Sequence, residues 1–503
     1  MFPSHDRGFK GCAESQGGFG LARYNRIDEN GITQPELVTA TNKLYKLAIT
    51  TFTVAYSGSA SVVIVSMYFD PDAAEYIFQI LEDTTIVLNR GLGKGFDEAG
   101  VDTLSDLESA IDALTGFSAT ITGTGSIPSA FLDIVRDYDL LSDDLVLEAC
   151  EWTEVSTPLS APLAGTLTNK DSSDFENVSF TQLANVLFVS NGYDELQKYD
   201  GQNMYRAGMP QHDTPTIALA GSGTGKTPGD HFHRILYKQV DAVGNIVEGD
   251  ISAVSNTVTV PGGGEDIDVT VDNIVASSGF NTNCAIVAGA QVTVNTITVD
   301  DGSGGSHTML VGDTAYFFDS VTGDYVEREV TGITGTTITV AGAAVTVADN
   351  AVISNNLRIG IYSNEVGGTF VYLVAEIPNN SFTATQVYTD STADSSLGVQ
   401  FVDPIKSRGL PPKGKYITPY NNQLVVAGQI ENPNLWYWSD VTSPEHFPTA
   451  INNERAESEN GDPISGVVQS NEVMVVFEKS ATHVYNGDFT DNNIRHDIVT
   501  HRS

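Results

Sequence analysis

Along most of the chain, apolar and polar positions alternate in short runs broken by Gly, Asn and Asp, as in Thr257-Val258-Thr259-Val260 and Gln291-Val292-Thr293-Val294. Alternation with period two sends successive side chains to opposite faces of a strand, so the pattern predicts a mainly β protein. One segment departs from it. From Thr103 to Gly116, Leu104, Leu107, Ile111 and Leu114 recur at helical spacing. This predicts an amphipathic helix with Thr103 as N-cap, Asp106 three residues on, and Gly116 in the left-handed conformation that ends it. A shorter second helix is expected from Ser129 to Tyr138, after Pro128.

The chain also repeats itself. Asn185-Val186-Leu187-Phe188-Val189-Ser190, followed by a turn and Leu196-Gln197-Lys198-Tyr199, returns as Asn422-Gln423-Leu424-Val425-Val426-Ala427 leading to Leu435-Trp436-Tyr437-Trp438. A third copy runs from Asn471 through Phe477 to His483-Val484-Tyr485-Asn486. Each copy reads as an antiparallel hairpin. Asn422 and Asn471 are 49 residues apart, close to the roughly 40–50 of a four-stranded propeller blade. Sheets that cannot bury their faces alone stack radially, so the expected scaffold is β-propeller-like.

More than two hundred residues separate the first two copies, too many for a connection between neighbouring blades, so domains are expected to be inserted there. Strand patterns at His231–Lys238 and Val254–Val260 resume at Leu357–Tyr362 and Phe370–Ala375, which predicts a split β-sandwich over 211–262 and 356–400. Between its halves, a Gly262-Gly263-Gly264 linker and further strand runs predict a small nested β-barrel over 263–355. The remaining expected divisions are 1–65, an N-terminal arm with candidate first propeller strands, and 66–150, a mixed insertion with the helix. Residues 151–210 are expected to form one blade and 401–503 the later blades.

The length of 503 residues suits about three domains, and 41% hydrophobic with 9% aromatic residues excludes disorder over most of the chain. Twenty-five Lys and Arg against 64 Asp and Glu leave a net charge of −39, which excludes a generally basic surface for nucleic acid or anionic lipid. The strongest apolar stretch, around Val62–Phe69, stops at Asp70-Pro71, short of the roughly 20 residues a membrane span needs. The N-terminus does not read as a signal peptide, so synthesis in the cytoplasm is expected. Cys12, Cys150 and Cys284 are too scattered for a disulfide framework or a zinc knuckle.

Few residues point to chemistry. Ala220-Gly221-Ser222-Gly223-Thr224-Gly225-Lys226-Thr227 resembles a phosphate-binding loop, but Pro228-Gly229 follows where a helix should start, so it reads as a linker. His231 and His233 share a strand face without a third ligand at recognisable spacing, and Asp300–Gly302 and Asp319–Asp324 do not follow the calcium-loop pattern. No catalytic residues, cofactor or metal are expected. Trp436 and Trp438 fall on one face of their strand and Tyr437 on the other, and two readings are open for them: packing between blades or contact with a glycan.

The hairpin copies, above all Asn422–Gly428 with Asn432–Asp440 and then Gly461–Ser480, resemble the propeller blades of tail nozzle and tail-tube proteins of short-tailed bacteriophages. Gly360–Asp390 with Asp394–Gly398 resembles the immunoglobulin-like insert that such proteins carry. The resemblance covers roughly residues 180–260 and 357–490. It implies a non-enzymatic virion structural protein of the tail, about six copies forming a ring that extends the DNA-ejection channel below the portal and adaptor. The implied partners are copies of itself, adaptor or portal-complex proteins, tail fibres or spikes, and double-stranded DNA in transit without specific binding. The alternative is a host-surface glycan-binding or depolymerising β-protein. Only about three blades are visible, whereas closed propellers have about 4–8; the rest is expected around Lys43–Val65, or the chain stops short of a ring.

Overall fold

The computed structural model describes residues 20–27, 33–40, 44–71, 75–92, 103–123, 125–127, 129, 132, 135–154, 178–192, 194–223, 225–262, 264–404, 406–457, 461–489 and 493–500. The protein is mainly β, with 51% strand against 4% helix. It divides into two compact units, Met1–Leu21 with Glu36–Glu154, and Ala22–Pro35 with Val155–Ser503.

In the first unit the long strand Leu44–Tyr56 pairs antiparallel with Leu145–Glu154 and Phe117–Thr122. A second sheet has the order Thr85–Gly91, Glu75–Glu82, Val63–Asp70, Val135–Asp139. In the apolar stretch, Val63, Val65 and Met67 are buried and the intervening residues half-buried, the period of a strand with one face on a core. The helix Leu104–Asp112 forms where periodicity placed it: Thr103 and Asp106 make a reciprocal capping box, and Leu104, Leu107 and Ile111 enter the core. Gly116 has φ +87°.

Several expectations fail in this unit. Val135–Asp139, at the end of the expected second helix, is a strand pairing with Val63–Asp70. The sheet edge supplies hydrogen-bond partners that ten residues of weak helical pattern cannot match; parts of that segment lie outside the described residues. A division at 65/66 also fails, because Val63–Asp70 crosses it. Leu44–Tyr56 buries Phe52 and Val54 in the same core as the helix instead of starting a propeller, and Leu145–Glu154 belongs to this sheet and not to a blade.

The second unit contains three four-stranded antiparallel meanders whose strands neighbour one another in chain order. The first comprises Ser179–Leu183, Val186–Ser190, Gln197–Tyr199 and Met204–Arg206. The second comprises Tyr416–Tyr420, Gln423–Ala427, Leu435–Trp438 and Asn453–Arg455. The third comprises Ile464–Ser470, Val473–Glu478, Ala481–Asp488 and Asn493–Thr500. The repeated asparagine marks the first turn of each: Asn185, Asn422 and Asn471 have φ of 59°, 62° and 54°. Left-handed backbone is what a two-residue hairpin turn demands, and Asn adopts it more readily than most residues.

The meanders stack. One core joins Val186, Phe188 and Leu196 of the first to Leu424, Val426 and Tyr437 of the second. Another joins Val425, Ala427, Trp436 and Trp438 of the second to Met474, Val476 and Tyr485 of the third. Strict alternation thus lets the second meander bury both faces, and all five residues of Gln423–Ala427 are buried.

Between the first and second meanders lie two further sheets and a barrel. One sheet has the order Ile246–Glu248, His233–Val240, Leu357–Asn364, Val371–Pro378, and the other Thr216–Leu219, Ile267–Asp272, Thr385–Asp390. They share a core that includes Ile235, Ile359 and Ile361 from the first and Ile217, Val269 and Val271 from the second. Six strands, from Cys284–Val287 to Val352–Ser354, close into a small barrel around Ile297, Phe317 and Ile338. The barrel starts later than residue 263, because Ile267, Val269 and Val271 point into the core of the flanking sheets.

Candidate functional site

Trp436 and Trp438 lie in the seam between the second and third meanders, 0% and 2% exposed. Their ring centroids are 5.0 Å apart, and Trp436 meets Tyr485 edge-on at 5.0 Å. Phe489 closes the cluster 5.2 Å from both indoles. Ala427 is directly opposite Trp436 in register, and this small neighbour leaves room for the indole. Tyr437 faces the other way, into the seam with the first meander. These buried rings present no face to a sugar.

The lysine of the phosphate-loop-like segment points inward. Lys226 Nζ is 2.5 Å from Asp390 Oδ2 and 3.0 Å from Ser363 Oγ, and His233 Nε2 is 2.9 Å from the same carboxylate oxygen. A strand, Gly229–His231, follows where a phosphate site would need a helix N-terminus. Burial alone would raise the Asp390 carboxyl, but the His233 hydrogen bond and the Lys226 charge outweigh it and hold it well below the usual carboxylate range. Burial holds His233 down as well.

The other motifs are also occupied by the chain itself. His231 Nε2 is 2.7 Å from Thr227 O, so the two histidines serve different partners. Asp301 accepts from Ser303 N and Gly305 N, and Asp319 from Val321 N and Thr346 N, as turn-forming side chains do. Cys284 is buried, its thiol pushed up to about 11 by desolvation. Cys12, and the side chain of Cys150, lie outside the described residues. Among the described residues no three His, Cys, Asp or Glu side chains form a metal-holding group, and no helix is long and apolar enough to cross a membrane.

A charge network that sequence spacing did not reveal lies where the first meander meets the second and the inserted domains. Lys198 Nζ is 2.6 Å from Glu445 Oε1 and 3.8 Å from Asp241 Oδ2, and it sits 5.0 Å above the Tyr205 ring. Tyr205 donates its hydroxyl to Asp200 Oδ2 at 3.0 Å, and Asp200 Oδ1 accepts from Gln202 N and Asn203 N. Asn203 Nδ2 continues to Asp313 Oδ1 at 3.2 Å, at the barrel. Desolvation raises Asp200, and Lys198 is raised because its carboxylate neighbours outweigh its burial. The one signal in the sequence is Lys198 itself, a cation within a strand of the repeat; its partners are up to 247 residues away.

A second relay crosses the third meander. His483 Nε2 is 2.9 Å from Glu478 Oε2, His483 Nδ1 is 2.9 Å from His496 Nε2, and the His496 ring stacks on Tyr485 at 4.3 Å. The Lys198 network cross-links separate sheets, whereas the His483 relay joins neighbouring strands of one sheet. No protein-family model matches the chain, and no curated protein matches it.

Proposed function

We propose that this chain is a structural protein of a bacteriophage tail, a nozzle or tail-tube subunit whose stacked meanders are propeller blades. In this reading the two inserted sheets are the immunoglobulin-like sandwich and the barrel is a contact domain. The observation that carries it is the second meander, clasped on one face by the first and on the other by the third, the packing that radially repeated sheets adopt. The resemblance of Asn422–Asp440 and Gly461–Ser480 to nozzle blades supplies the tail assignment.

About six copies would form a ring against adaptor or portal proteins, with fibres or spikes as further neighbours. The net charge of −39 then has a use: an acidic lumen repels duplex phosphates, so DNA passes without sticking. A glycan-binding role would need an exposed aromatic platform, which Trp436 and Trp438 do not offer.

Light scattering with negative-stain microscopy tests the reading. Six copies of 53.7 kDa give a particle of about 320 kDa, expected as a ring with an open centre. A monomer at all concentrations that binds or degrades host polysaccharide would overturn it.

A further inference from the structure

Where the first meander, the inserted sheets and the barrel meet, buried negative charge exceeds what one lysine balances. Asp200, Asp241 and Glu445 all act on Lys198, and Asp313 has neutral amides as its partners, from Asn203, Asn283, Asn355 and Leu310. None of the four carboxylates is more than 6% exposed. By contrast, Asp390 is matched by Lys226 within hydrogen-bond distance.

Asp200, Asp241 and Asp313 line a cavity of about 10 Å³, room for one water-sized occupant. Asn281 and Asn355 line it too, 4% and 5% exposed, each with a buried Oδ1 that has no hydrogen-bond partner. The Nδ2 of Asn355 is directed to Asp313, which fixes its oxygen as the free atom. The unpartnered side-chain atoms of this wall are therefore carbonyl oxygens beside excess carboxylate. An occupant has to bring positive charge or protons.

We propose that this cavity binds one hard divalent cation of the calcium class, held by carboxylate oxygens together with Asn281 Oδ1 and Asn355 Oδ1. The carboxylates alone do not converge into a metal-holding group. The amide oxygens and water complete the sphere, since calcium accepts six to eight oxygens of mixed type whereas magnesium demands a tighter octahedron. Ligands drawn from positions 200 to 355 fasten the inserted domains to the first meander, so the ion acts as a rivet at their junction.

The test uses the full chain stripped with EDTA, then given CaCl2, MgCl2 or choline chloride at equal ionic strength, read by calorimetric titration and thermal unfolding. One calcium per chain is expected, with a Tm rise of several degrees that magnesium reproduces less and choline not at all. Asn281→Ala deletes an oxygen without a protein partner, so it should keep the wild-type Tm in EDTA while losing about tenfold or more in calcium affinity. Asp313→Asn provides a second variant, expected to lose calcium binding likewise. Equal shifts from all three salts would mean screening of the acidic surface and overturn the site. Undiminished calcium binding in both variants would place the ion elsewhere, and no binding at all would leave a water in the cavity; either result overturns it too.

Discussion

Lys198 and Glu445 are 247 residues apart in the chain, yet Lys198 Nζ lies 2.6 Å from Glu445 Oε1 with both side chains at most 2% exposed. The other carboxylate oxygen of Glu445 accepts from Gly208 N. One side chain of the loop between the third and fourth strands of the second meander thus holds the first meander at two points, across the entire inserted region. Removing either partner strands a buried charge. Lys198→Met or Glu445→Gln should each cost about 3–5 kcal/mol in urea unfolding, and the double variant less than the sum of the two. Additive losses would show that the pair is not coupled.

The aromatic seam makes a directional prediction. Trp436 touches Tyr485 across the second and third meanders, whereas Tyr437 packs on the opposite face. Trp436→Ala should cost about 3–5 kcal/mol. A double-mutant cycle should give about 0.5–1.5 kcal/mol of coupling between Trp436 and Tyr485, and Tyr437 with Tyr485 should be additive within about 0.5 kcal/mol.

The hairpin turn at Asn421-Asn422 has φ of 49° and 62°, and Asn422 is exposed. Asn422→Gly should be nearly neutral. Asn422→Val, whose branched side chain resists left-handed backbone, should lower stability by about 1–2 kcal/mol or more in thermal unfolding.

His446 gives a pH prediction. Burial, followed by the nearby Arg408 charge, holds its imidazole down to about 4. Between an ordinary value of about 6.5 and about 4 the unfolded chain takes up a proton that the folded chain refuses. The contribution is therefore complete above pH ~6.5 and lost as pH falls through the folded value, a change of about 3 kcal/mol. Asp313 works in the opposite sense: its carboxyl, raised to about 6, protonates first in the folded state and gains stability as pH falls through that value. The difference between wild type and His446→Gln isolates the histidine. Its wild-type profile should drop more steeply from pH 6.5 to 4, and parallel profiles would contradict the assignment.

What the sequence determined by itself is what neighbouring residues decide. Period-two runs became strands, the spacing of Leu104, Leu107 and Ile111 became a capped helix, and the repeated Asn185, Asn422 and Asn471 became left-handed turn residues. Alternation also separated Trp436 and Trp438 from Tyr437 before any partner was known, because opposite faces follow from backbone geometry alone.

Tertiary structure decided what those faces meet. Leu44–Tyr56 reads as a generic strand, and only its pairing with Leu145–Glu154 places it in the first unit instead of a blade. Val135–Asp139 has a weak pattern of its own and took its conformation from the open edge of Val63–Asp70. The Lys198 network, the Lys226–Asp390 pair and the junction cavity join residues from distant segments. Which charges become neighbours is fixed by how the sheets stack, and in a chain with 64 acidic residues no spacing along the sequence could single out the four that are buried together.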